Sequence, residues 1–146
     1  MSIKFLTASI LGLAFVAITA TTPPALAAST VIYTTALSGS EEVPPTTSKG
    51  TGSADVTYDP SSKKLTWKVT FSALTGPATA AHFHGPAAHG ANADPAVPIP
   101  GTASPLTGSA TLTAAQEADL AAGKWYVNVH TAANKGGEIR GWLKKK

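Results

Sequence analysis

Residues 64–71 alternate without a break. Leu65, Trp67, Val69 and Phe71 fall on one side of an extended chain, and Lys64, Thr66, Lys68 and Thr70 on the other. A period of two fits a strand with one buried and one wet face and does not fit a helix. Just before it, residues 53–58 alternate in the same way. The Asp59-Pro60-Ser61-Ser62 segment between them has turn chemistry, with Pro at the second position. The two runs therefore predict an antiparallel hairpin. Further strands are expected at 30–37, 78–84, 107–112, 124–130 and 138–143, separated by Ser38-Gly39, Thr75-Gly76-Pro77 and Lys135-Gly136-Gly137. One helix interrupts them at 114–121. Thr113 and Gln116 are spaced as a capping box, and Gly123 lies just past the end. The expected fold is all-β: an antiparallel β-sandwich or small Greek-key barrel of about seven strands with one short helix. Segments 41–50 and 85–105 read as loops, and Lys144-Lys145-Lys146 as a frayed, solvated end.

The N-terminus is expected to lie outside this fold. Lys4, the apolar run from Phe5 to Ile18 and the Ala25-Leu26-Ala27 triplet form a cleavable export signal over residues 1–27. Cleavage is placed after Ala27, which leaves a β domain over 28–146, secreted or periplasmic, with no stable membrane span. The absence of Cys excludes disulfides, a thiolate nucleophile, a zinc-cysteine site and a blue-copper centre. A net charge of +3, spread over the chain except at the tail, excludes a nucleic-acid footprint. Phosphate-loop and dinucleotide glycine patterns are missing, as is the Gly-x-Ser-x-Gly elbow of a serine hydrolase.

The chemistry that remains lies with histidine. His82, His84 and His89 fall within eight residues, and His130 ends a separate strand. On a strand, His82 and His84 share one face while Phe83 points into the core. If the two strands are neighbours, His130 joins them. Imidazole sets suit copper or zinc. His82, His84 and His130 are therefore the candidate ligands, with His89 as a fourth and Glu42, Asp94 or Glu138 as partners for the outer nitrogens. The competing use of these rings is to bond loop carbonyls and pin the long loop. Glu41-Glu42 reads as a solvated patch before an acid/base pair. Arg140, the only Arg, is expected to pair with a carboxylate such as Glu42 or Glu138. Trp67, Trp125 and Trp142 sit in strand patterns and read as core residues.

Three motifs resemble a known family. Leu37-Ser38-Gly39-Ser40-Glu41-Glu42-Val43-Pro44-Pro45 comes first and Ala80-Ala81-His82-Phe83-His84-Gly85-Pro86 second. Tyr126-Val127-Asn128-Val129-His130-Thr131, followed by Gly137-Glu138-Ile139-Arg140-Gly141-Trp142-Leu143, closes the series. In this order, over about 30–143, they are similar to the CHRD domain, which occurs repeated in chordin and often singly in secreted bacterial proteins. The resemblance implies an extracytoplasmic β-sandwich-like domain with histidines kept at positions 82, 84 and 130, and it implies no particular activity. Growth-factor binding in chordin is attributed mainly to other, cysteine-rich domains and is not carried over. The H-x-H strand is also similar in pattern to the copper ligands of copper/zinc superoxide dismutases.

Three functions are compatible with these residues. One is a secreted metal-binding domain. Another is a non-enzymatic adhesion module with an envelope or extracellular protein partner. The third is a redox copper enzyme handling a small oxidant such as superoxide, with Arg140 as its steering cation. The lack of an acid/base constellation weighs against an enzyme.

Overall fold

The computed structural model describes residues 29–146, so the expected export signal lies outside the described residues. The chain runs β1 (Val31–Ser38), a short 3-10 turn (Gly39–Glu41), β2 (Thr51–Asp59), β3 (Lys64–Ser72), β4 (Ala78–His84), β5 (Pro95–Ile99) and β6 (Leu106–Thr111). Then follow α1 (Ala114–Ala121), β7 (Tyr126–Thr131), β8 (Ile139–Trp142) and β9 (Lys144–Lys145). The strands form one sheet in the order β5-β4-β7-β8-β1-β2-β3-β6, with β9 beside β1. All pairings are antiparallel. The two end strands, β5 and β6, come against one another, so the sheet curls into a nearly closed barrel. The all-β expectation holds, with nine strands among the described residues in place of about seven.

The β2–β3 hairpin follows the alternation residue by residue. Leu65, Trp67 and Val69 are buried while Lys64, Thr66 and Lys68 are exposed. Its turn is held by the Asp59 carboxylate, which accepts from Ser61 N (2.9 Å), Ser61 Oγ (2.6 Å) and Ser62 Oγ (2.7 Å). The barrel interior is filled by these side chains together with Phe83, Trp125, Val127, Val129, Ile139 and their neighbours. Phe83 packs edge-on against Trp67, with ring centroids 5.2 Å apart. Helix α1 has its full capping box, with Thr113 and Gln116 bonded reciprocally. Gly123 follows it at φ +70°.

Two expectations need correction. The stretch 85–105 is not loop throughout, because residues 95–99 form β5. Its prolines are tolerated because β5 is hydrogen-bonded on one side only, to β4. Val97 and Ile99 still alternate into the core. The lysine tail is not frayed. Lys144 and Lys145 pair with Thr34 and Tyr33, and Lys146 N donates to Ile32 O at 2.9 Å. Their side chains remain exposed.

Candidate metal centre

Strands β4 and β7 are neighbours, with His82 opposite Asn128, His84 opposite Tyr126 and Ala80 opposite His130. Directly opposed residues share a face. Phe83, Val127 and Val129 take the inner face, and His82, His84, Tyr126, Asn128 and His130 take the outer one. The outer face is not open to water at every position. His84 is 7% exposed and Asn128 0%. The segment between β4 and β5 lies against His84 and Glu42 against Asn128, so this face holds a buried polar layer.

The three imidazoles meet there. One ligand nitrogen from each of His82, His84 and His130 lies within 4.8 Å of the other two. His82 Nδ1 and His130 Nε2 are 3.2 Å apart. The outer nitrogens are fixed by main-chain carbonyls. His84 Nδ1 is 2.9 Å from Ala93 O, and His130 Nδ1 is 2.9 Å from Lys135 O. A carbonyl only accepts, so both Nδ1 atoms carry a proton and both Nε2 atoms carry a lone pair. His82 Nδ1–H donates to the lone pair of His130. The lone pair of His84 Nε2 is buried and has no partner among the described residues.

Ring orientation is over-determined. His84 stacks on Tyr126 with centroids 4.9 Å apart and planes 3° from parallel. The Tyr126 hydroxyl donates to Ala93 O (3.3 Å) and accepts from Ala93 N (3.1 Å). On its other neighbours, Tyr126 carries the Arg140 guanidinium 4.1 Å from its ring centroid. Burial lowers the pKa of all three imidazoles. For His84 the desolvation is strongest and takes it to about 4, against the bond to Ala93 O. The rings are therefore neutral at physiological pH and need no net deprotonation to act as ligands.

The carboxylates lie elsewhere. Arg140 pairs with Glu42, with Nε and Nη2 each 3.1 Å from Oε2. Asn128 Nδ2 donates to Glu42 Oε1 at 2.6 Å. Burial pushes the Glu42 carboxyl up, and Arg140 and Asn128 offset this only in part. Arg140 also donates to Asn92 Oδ1 (2.7 Å) and Ala91 O (3.3 Å), tying the covering segment to β8. Its donors are thus committed to Glu42 and this segment, away from the imidazoles. Glu138 is fully buried. It accepts from Ser48 Oγ, Thr75 N, Thr75 Oγ1, Thr131 Oγ1 and Asn134 Nδ2, and has no charged partner among the described residues.

With this geometry established, comparison with known proteins gives one match. The sequence pattern of the CHRD domain fits residues 33–143, well over half of the chain. The chain belongs to the CHRD domain family. No curated protein and no solved structure matches it.

In this CHRD domain the fourth expected ligand, His89, is not brought to the other three. It lies 3.5 Å from the Glu41 carboxylate, largely exposed, with its ring 5.0 Å from that of Trp142. The turn after His84 carries it toward β8 instead of back over β4. Among the described residues Glu42, Asp94 and Glu138 make no hydrogen bond to the three imidazoles; the carbonyls of Ala93 and Lys135 take that place. The residues that sequence reasoning missed are those two carbonyls and the stacking role of Tyr126. Carbonyls leave no mark in a sequence. Period-two spacing puts Tyr126 on one face with His130, but nothing in the sequence sets its register against His84. In the CHRD domain no described helix is long and apolar enough to cross a membrane.

Proposed function

We propose that this chain is an exported CHRD domain that binds one transition-metal ion, copper or zinc, through His82, His84 and His130. The observation that carries the reading is the unpartnered, buried Nε2 of His84 beside two further imidazole nitrogens. A buried acceptor without a partner costs about 1–3 kcal/mol. A metal ion removes that cost and uses the lone pair. The donor set fits: neutral nitrogens, with Nδ1 protons on His84 and His130 engaged by carbonyls, as in metal sites with oriented histidines. Donors about 2.0 Å from a shared ion in tetrahedral array are about 3.3 Å apart. The His82–His130 pair already stands at 3.2 Å. The third nitrogen lies within 4.8 Å of both. Ligation by His82 Nδ1 requires only that its proton move to Nε2 of the same half-buried ring.

Export supports the reading from the sequence side. A domain released by cleavage after Ala27 works outside the cytoplasm, where its stability rests on packing, hydrogen bonds and a bound ion in the absence of disulfides. Protein recovered from the envelope or medium is expected to begin at Ala28. After copper or zinc loading and desalting, it is expected to hold about one ion per chain, and a His82→Ala/His84→Ala variant none. Equal metal in both proteins would contradict the assignment.

A further inference from the structure

Three imidazoles leave a four-coordinate ion one position short. Beside them the surface opens into a cleft of about 420 Å³, lined by Thr79, Ala80, His82, His130, Ala132 and Lys135 among others. Two of the three candidate ligands thus form part of the wall of this cleft, while His84 lies deeper beneath the covering segment. No carboxylate lines it among the described residues. Among the described residues lining it, the one ordinarily charged is Lys135, an exposed residue whose main-chain carbonyl fixes His130. The loop that carries Lys135 is itself anchored, through Thr131 and Asn134, to the Glu138 carboxylate. Wall and ligand therefore belong to one hydrogen-bonded network.

We infer that the fourth coordination position opens into this cleft and takes a small anion from solution. The inference rests on the metal reading above. It goes further in making the site open to exchange, where a purely structural site is closed by a fourth protein ligand. The chemistry of the wall selects the ligand class. Neutral imidazoles leave the metal's positive charge uncompensated. Lys135 adds a second positive charge, and no acidic group stands in the way. A compact anion with a donor atom is favoured over a cationic ligand. The fourth bond forms by exchange of a solvent water for the anion, with no change in oxidation state.

Azide is a suitable probe, because its binding to copper(II) produces a charge-transfer absorption. The mature chain is loaded with copper(II), freed of excess metal and titrated with azide; Lys135→Glu is treated in parallel. Lys135 is exposed and contributes its main-chain carbonyl, not its side chain, to His130, so the variant keeps the ligand set. The expected result is a saturable new band in the wild type and a several-fold weaker azide affinity in Lys135→Glu at equal copper content. Copper retained with no spectral response to azide would overturn the open position and leave the metal site intact. Equal azide affinity in both proteins would overturn the role of the cleft. Failure of the wild type to retain copper or zinc would remove the metal reading and this inference with it.

Discussion

Two buried polar clusters lie side by side at the end of β7, and they are built on opposite terms. Around Glu138, every oxygen of the carboxylate is occupied: five donors converge on it from four residues. Burial acts to raise its pKa, and the bonds from Ser48, Thr131 and Thr75 outweigh this and hold it at about 2. One residue earlier than Thr131, His130 belongs to a cluster with acceptors in excess. Its three rings share one hydrogen bond among the inner nitrogens, and the His84 lone pair is left over. A saturated network holds a fold together, because any change leaves donors unpaired. An unsaturated one stores a cost that a ligand can remove. The contrast assigns structure to Glu138 and binding to the histidines.

The largest expected effect comes from breaking the saturated side. Glu138→Gln replaces an acceptor-only group with one that turns an NH2 toward hydroxyl and amide donors. A loss of roughly 3 kcal/mol is expected, read as a lower denaturant midpoint. On the unsaturated side, His84→Leu removes the orphaned nitrogen, and Ala93 O keeps its bond from Tyr126. The metal-free domain should change by about 1 kcal/mol or less, while stabilisation by added copper or zinc disappears. In the wild type that stabilisation reaches about 4 kcal/mol at a thousandfold excess over the dissociation constant. If both variants lost equal stability without metal, the contrast would fail.

The clusters also differ in pH dependence, which separates them by window. The His84 pKa lies at about 4 in the fold against an ordinary 6.5. The unfolded chain therefore takes up the proton first, and stability falls as pH drops from about 6.5 to about 4. Metal retention should likewise persist below pH 6, lower than free imidazoles would allow. Glu138, at about 2 against 4.5, contributes stability that is complete above about 4.5 and is lost as pH falls through about 2. Acid titrations of stability should show the upper window softened in His84→Leu and the lower one missing in Glu138→Gln.

Much of this was legible in the chain. Strict alternation located β3 and put His82 and His84 on one face, because a period of two leaves no other choice. The register of β4 against β7, set by pairing across 48 residues of sequence, decided that His130 joins them, and the turn after His84 took His89 to Glu41 and Trp142 instead. Strand β5 was hidden by its prolines, although Val97 and Ile99 carried the alternation. The Glu138 hub was invisible for a different reason. Its donors come from Ser48, Thr75, Thr131 and Asn134, and such residues look like ordinary loop composition until the fold gathers them. The pairing of Arg140 was narrowed to Glu42 or Glu138, and the fold selects Glu42 by placing it across from Asn128 and β8.

X-ray absorption of the copper-loaded mature domain tests the central claim most directly, since it counts the imidazoles around the ion. Three histidine nitrogens at about 2.0 Å are expected, falling to two or to no bound copper in His84→Leu. A spectrum with one imidazole or none, or one identical in the variant, would contradict the site.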